Sequence, residues 1–286
     1  RVWGVGGWGG FFGLNLGDAA DRGETLVHDR ARPLFSATGV PRLGRPVGQA
    51  VAGPLGRCLL QLGGSNAIII EPDVDVAVAA AKLKGAAFGY SGQTCISTQR
   101  IYVHEDIATA FTEAMAAEAA SLKVGDPADP ATDLSSLIDG SETDRVASWI
   151  DEATAAGATL VCGGTMVDGV LAPTILSGVT DDMKVSCIEV FGPVVGIATY
   201  TDFEDALTRA NASSYGLQAA VFTNDLARAL RAAEALEYGG VMINESPSWR
   251  ADHMPYGGIR DSGNTREGPA YTVREMTEER LIVMQA

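Results

Sequence analysis

The sequence predicts an α/β protein whose sheets are largely parallel and covered by helices on both faces. Three observations carry that expectation. Strand-like and helix-like segments alternate almost throughout the 286 residues, the pattern that builds parallel sheets through crossover helices. Hydrophobic residues make up 46% and charged residues 20%, the balance of a globular chain that can bury a sizeable core. The length suits one large domain or two ordinary ones.

From about Leu14 the pattern becomes readable. Apolar "LNL" precedes a Gly-Asp turn, and "RGETLVHD" has helical spacing. "RPLF" reads as a short buried strand. It leads into "SATGVPRLGRPVGQAVAG", a glycine-containing turn that opens a helix. "RCLLQL" and "NAIII" read as strands hinged at a Gly-Gly pair. Pro72 and Asp73 mark a helix start before "VDVAVAAAKLKGAAFGY", which is apolar on most faces and therefore expected to be buried. A polar loop carrying Cys95 follows, then strand "RIYVH" and helix "EDIATAFTEAMAAEAASLK". "VGDPADPATDLSSLID" reads as a long Pro/Asp loop. Helix "ETDRVASWIDEATAAG" and strands "TLVCGG" and "LAPTIL" come next, and "EVFGPVVGIATY" is strand-like throughout. Helix "FEDALTRANAS", strand "GLQAAVFTN", helix "LARALRAAEALE" and strand "GGVMIN" complete the alternation. The chain opens at Arg1 without Met, on a Gly/Trp-rich dozen residues with no clear period, which reads as a piece of a longer protein.

A net charge of -15 with no Lys/Arg-rich run argues against nucleic acid and anionic membrane surfaces as partners. No apolar stretch approaches a bilayer span, and no signal-peptide pattern opens the chain. Cys58, Cys95, Cys162 and Cys187 are scattered without metal spacing. That points to a reducing compartment, the cytoplasm, and not to a disulfide framework. His28, His104 and His253 form no ligand pair, so no metal is expected.

Two positions raise chemical questions. Cys95 in "FGYSGQTCISTQR" is either a small hydrophobe filling a gap or a nucleophile. Ser91, Gly92, Gln93 and Thr94 keep its approach polar and let the backbone bend, as a reactive thiolate requires. Gln61 in "CLLQLGGSNAIII" puts a long amide at the glycine hinge. It is either a satisfied surface group or a functional position that has lost its charge.

Gly-Gln-x-Cys about thirty residues after Leu-Gly-Gly, then "EVFGPVV", then "MPYGGIRDSGNTREG", together resemble the aldehyde dehydrogenase superfamily. "GDPADPATD", "LAPTIL", "YGLQAAVFTND" and the closing "REMTEERLIVM" add to the likeness, which runs from about Leu14 to the C-terminus. The resemblance implies an aldehyde dehydrogenase-like fold. Residues 1–62 would be the end of a Rossmann-like cofactor domain, 63–255 a complete thiol-bearing catalytic domain, and 256–286 a return to the cofactor domain with "RLIVM" as an oligomerisation strand in a homo-oligomer. It also implies a chemistry with NAD or NADP. Cys95 attacks an aldehyde, a hydride leaves, and water cleaves the resulting thioester, a route that suits a thiol better than a hydroxyl. Cys95's own N–H would be one oxyanion donor. Glu189 would bond the nicotinamide ribose and Phe191 would pack beside the ring. Leu62 would line the cofactor site, while Gly39 and Gly44 would open a helix toward the diphosphate. Trp249 and Arg250 fall in the substrate-pocket region, where Arg250 suits an anionic aldehyde or serves only as a paired arginine.

The match breaks at stated places. Gln61 stands where the family has the glutamate that activates the hydrolytic water. A neutral amide cannot take that proton, and losing a general base costs about 10²–10⁴ in the step it serves. Val40 and Pro41 replace a serine and another small residue in the diphosphate turn. Thr265 stands where glycine is expected, which predicts local backbone strain. The family's P-W-N tract, with a second oxyanion donor, and its ribose-contacting lysine would lie upstream of this chain. Three functions follow: an impaired NAD(P)-dependent aldehyde dehydrogenase, an acylating relative that passes its thioester to a thiol such as coenzyme A, or a silent homologue acting only through subunit association.

Overall fold

The computed structural model describes residues 23, 25–29, 34–53 and 55–285. "LNL" and its turn lie outside them, and the expected "RGETLVHD" helix is described as helical at 25–27. Strands β1 (Leu34–Gly39) and β2 (Arg57–Leu62) pair in parallel, with helix α1 (Pro41–Ala52) as their crossover. The register sets Thr38 opposite Gln61 and Gly39 opposite Leu62. Proline pre-sets the helical φ at the first turn of α1, where its missing N–H costs nothing. Gly44 lets α1 lie flat on β2: a Cβ there would come within 2.6 Å of Leu62 Cδ1.

A separate sheet of seven strands holds the core. Its members in chain order are β3 (Asn66–Ile70), β4 (Thr98–His104), β5 (Thr159–Cys162), β8 (Thr174–Ser177), β9 (Val194–Tyr200), β10 (Gln218–Phe222) and β11 (Gly240–Ile243). Between β5 and β8, the short pair β6 (Met166–Val167) and β7 (Val170–Leu171) forms a hairpin that the pattern of the sequence does not reveal. Across the sheet the order is β11-β10-β3-β4-β9-β8-β5, parallel everywhere except at β5–β8.

Helices α2 (Val76–Phe88) and α3 (Ala108–Ala120) cover one face, and α6 (Phe203–Asn211) and α7 (Leu226–Ala235) cover the other. The period-2 alternation of strands divides "NAIII" between the two cores. Ile68 and Ile70 pack with Leu83, Phe88 and Phe111, while Ala67 and Ile69 pack with Ala206, Leu207 and Ala232. A third cluster gathers α4 (Gly140–Ala155) and α5 (Lys184–Cys187) around Val146, Ile150 and Leu176. Aspartates cap four of these helices: Asp75 accepts from Val78 N–H, Asp139 from Glu142, Asp202 from Asp205 and Asp225 from Ala227. Each such cap is worth about 1 kcal/mol.

Three expectations are corrected. The cap of α2 is Asp75, whereas Asp73 receives hydrogen bonds from Thr223 and Asn224 and ties β3 to β10. "EVFGP" is not strand. β9 begins only at Val194, because Phe191 turns the chain at φ 50°. Thr265 is not strained: it is absent from the positive-φ residues, and its buried hydroxyl donates to Glu275 at 2.6 Å. "RLIVM", expected to pair with a second copy, has no partner strand among the described residues of one chain, and Leu281 to Met284 are exposed. A short last helix, α8 (Pro269–Glu275), precedes them. Among the described residues no helix is long and apolar enough to cross a membrane.

Candidate active site

The loop after α2 is built to present Cys95. Tyr90, Ser91 and Gly92 take three successive left-handed conformations (φ 53°, 57° and 71°). Non-glycine residues in such regions cost about 1–3 kcal/mol each, so the surroundings must hold them. Ser91 donates its hydroxyl to the Ser135 carbonyl at 2.7 Å and accepts the Ser135 N–H at 3.2 Å. At Gly92 a Cβ would overlap the Gly192 carbonyl, so the glycine of Gly-Gln-x-Cys permits contact with the "FGP" turn. Asn66, at the head of β3, donates to the carbonyls of Cys95 (3.0 Å) and Ser97 (2.8 Å) and accepts the Gln218 N–H. The Cys95 loop is thereby bound to the first residue of the core strand.

Cys95 opens onto a cavity of about 590 Å³. Gly39, Gln61, Leu62, Glu189, Phe191 and Arg250 line it with Cys95. The Cys95 sulfur lies 2.7 Å from the Tyr256 hydroxyl, and the Arg250 guanidinium sits 4.3 Å from the centre of that tyrosine's ring. Burial pushes the Cys95 thiol up, and Glu189 and Glu267 add to the rise. The bond to Tyr256 and the residue's own backbone N–H oppose it. Burial and the adjacent sulfur also push the Tyr256 phenol up.

Glu189 is nine-tenths buried, with its carboxylate pressed against the glycine hinge. The Gly64 N–H donates to it at 3.1 Å, and a Cβ at Gly63 would overlap it. Burial lifts its pKa from 4.5 to about 7, against the Gly64 hydrogen bond and the Arg145 charge. Beyond Glu189 and Phe191 lies a second cavity of about 870 Å³, which both residues share with Val40, Arg42 and Arg45. Arg45 is bound to Asp261 at 2.6 Å.

Gln61 is 4% exposed, and neither its amide nitrogen nor its amide oxygen has a hydrogen-bond partner. It is therefore not a satisfied surface amide. Cys95, Gln61, Leu62, Glu189, Phe191, Gly39 and Arg250 thus meet at one cavity. Two expected residues do not join them. Gly44 is buried under Leu62, and Trp249 borders a separate space of about 30 Å³ with Arg250 and Tyr256. Val40 caps α1 without a side-chain hydrogen bond. Tyr256, Glu267 and Asn66 carry no sequence motif that points to a function. A polar residue heading the apolar "NAIII" is the signal that could have found Asn66. Nothing local marks the distance between Tyr256 and Cys95, 161 positions apart.

A sequence model of the aldehyde dehydrogenase family matches residues 9–282. The chain is 44% identical over 268 residues to a 3-sulfolactaldehyde dehydrogenase of Priestia aryabhattai, covering 94% of this chain and 56% of that protein. Aldehyde dehydrogenase 21 of Physcomitrella patens, solved with the reaction product succinate, superposes with a TM-score of 0.87 at 34% identity over 93% of this chain and 55% of that one. A glyceraldehyde-3-phosphate dehydrogenase of Methanocaldococcus jannaschii, solved with NADP, gives 0.87 at 36% identity over 91% of this chain and 56% of that one. The chain spans a little over half the length of the curated relatives it matches. With the family model covering nearly every residue, the chain belongs to the aldehyde dehydrogenase family.

Proposed function

We propose that this chain carries the thiol-bearing half of an NAD(P)-dependent oxidation of an anionic aldehyde, in which the thioester forms faster than water removes it. The supporting observation is the shared cavity: Cys95, Gln61, Glu189 and Phe191 line one space. The Cys95 thiolate adds to the carbonyl carbon, and its own N–H faces the oxygen that gains charge. Nicotinamide, when bound, supplies the hydride acceptor that converts the adduct to a thioester. Glu189 in its carboxylate form would accept ribose hydroxyls, and half-exposed Phe191 would pack on the cofactor. Arg42 and the start of α1 at Val40, which line the second cavity, would hold its diphosphate. Gln61 positions a water but takes no proton from it, so hydrolysis slows.

Arg250 supports the anionic substrate: it lines the cavity and makes no ion pair among the described residues. Of the relatives above, one is named for 3-sulfolactaldehyde and one was crystallised with succinate, both anionic compounds. Copies of the chain associate through the exposed tail in this reading, which sedimentation tests.

The test mixes the protein with a short anionic aldehyde and NAD or NADP, using this chain alone and this chain joined behind the amino-terminal segment of the Priestia aryabhattai relative. The expected result is a burst of about one NAD(P)H per chain and slow turnover after it, lost in Cys95→Ser; Gln61→Glu converts the burst to steady turnover. Steady turnover with Gln61 in place overturns the account of that residue. No burst from either protein favours a silent homologue. Because Gln61 leaves a persistent thioester, transfer to a thiol is the second reading: coenzyme A then restores turnover without any substitution.

A further inference from the structure

Cys95 lacks what usually makes a thiol reactive. It is partly buried, and the carboxylates of Glu189 and Glu267 both oppose its ionisation. Among the described residues, one side chain bonds its sulfur: Tyr256, at 2.7 Å. Tyr256 is 5% exposed and anchored by its backbone, which exchanges hydrogen bonds with Glu267. Arg250 lies over the same ring, and a cation there withdraws charge from the phenol and strengthens its O–H as a donor.

We propose that Tyr256 is a further catalytic residue: its hydroxyl donates a hydrogen bond first to the Cys95 thiolate and then to the alkoxide that forms beside it, with Arg250 as the residue that positions the phenol. The step rests on Cys95 being the nucleophile. The sulfur pair forms the S–C bond while the carbonyl π pair moves onto oxygen, and Tyr256 keeps its proton throughout. Sulfur and oxygen then share one carbon, so a donor within reach of the first is within reach of the second. Of the two partners, the tyrosine keeps its proton, because a phenol raised by burial and by the neighbouring sulfur yields it after the thiol does. The charged and titratable groups that face Cys95 are Tyr256, Glu189, Glu267 and, through Tyr256, Arg250. Only the Tyr256 bond and the residue's own N–H favour the thiolate.

The experiment follows iodoacetamide alkylation of this chain against pH, read peptide by peptide by mass spectrometry. Cys58, Cys162 and Cys187 then serve as internal controls. Tyr256→Phe keeps the ring and removes the donor. It is expected to raise the Cys95 midpoint by about one to two pH units, the effect of one charge-assisted hydrogen bond, with the other three cysteines unmoved. A midpoint that stays or falls overturns the proposal. A merely structural hydroxyl would change the alkylation rate at every pH without moving the midpoint, and that result overturns it too. Should Tyr256→Phe not fold, Arg250→Gln takes its place: a raised midpoint supports the proposal and an unmoved one sinks it. Alkylation needs neither aldehyde nor cofactor, so this outcome is independent of whether the chain oxidises an aldehyde.

Discussion

A Cβ at Gly63 would overlap the carboxylate of Glu189, a residue 126 positions later in the chain. The glycine hinge is therefore a seat for a buried acid as well as a bend between β2 and β3. Gly63→Ala is expected to push Glu189 out of its place and to cost about 1–3 kcal/mol, the usual penalty of overpacking a rigid site. Urea unfolding of the variant beside the wild type measures it, and equal midpoints would show that the seat is not tight.

Glu189 also makes stability depend on pH in an unusual direction for an acid. Its pKa in the fold, about 7, stands above the ordinary 4.5, so the folded chain holds that proton more tightly than the unfolded one. The contribution is complete below about pH 4.5 and is lost as pH rises through about 7. It amounts to about 3 kcal/mol. Glu189→Gln should flatten this slope, leaving the variant the more stable protein at about pH 8. In the proposed function the carboxylate is the form that accepts ribose hydroxyls, so cofactor affinity should rise over the same interval in which stability falls. Urea curves and cofactor titrations across that range check both signs.

The layered fold was legible because its physics is local. "NAIII", "IYV" and "AAVF" are apolar on both faces, and helix-forming runs separate them. The site was legible only through resemblance. Cys95, Glu189 and Gln61 each look ordinary in their own neighbourhood, and what joins them is the packing of β2, the α2–β4 loop and the turn before β9. Tyr256 stayed hidden for the same reason, since a contact 161 positions apart leaves no trace in spacing. Thr265 shows the converse. Judged against a motif it predicted strain, whereas its actual neighbour is Glu275 on α8.

That neighbour gives a test. The Glu275 carboxylate accepts the Thr265 hydroxyl at 2.6 Å and the Arg266 N–H at 3.0 Å, tying the last helix to the segment that carries Tyr256. Thr265→Val should cost about 1–3 kcal/mol through the lost charge-assisted bond. Thr265→Gly should destabilise as well, where relief of strain would have stabilised. Thermal unfolding of the two variants separates these accounts.

Gln61 holds two buried polar atoms without partners, a cost that packing alone does not justify. Gln61→Met is close in volume and removes both, so it should raise stability by about 1 kcal/mol. The same change should abolish whatever slow hydrolysis the amide supports by holding a water. Gained stability with lost turnover is the signature of a polar group kept for chemistry. If Gln61→Met is less stable, the amide is satisfied in solution and its role is structural.

Arg250 faces two tasks, and a pair of substrates separates them. Its guanidinium carbon lies 4.3 Å from the centre of the Tyr256 ring, and the residue lines the Cys95 cavity. Loss of the stacking in Arg250→Gln weakens Cys95 equally for every aldehyde. Loss of the charge falls only on an aldehyde that carries a carboxylate or sulfonate. The ratio of kcat/KM for an anionic aldehyde to that for a neutral one of equal length should therefore drop about 10–100-fold, the worth of one charge-assisted contact. A fall in both values with the ratio unchanged would assign Arg250 to the tyrosine alone and leave the substrate's anion to some other group.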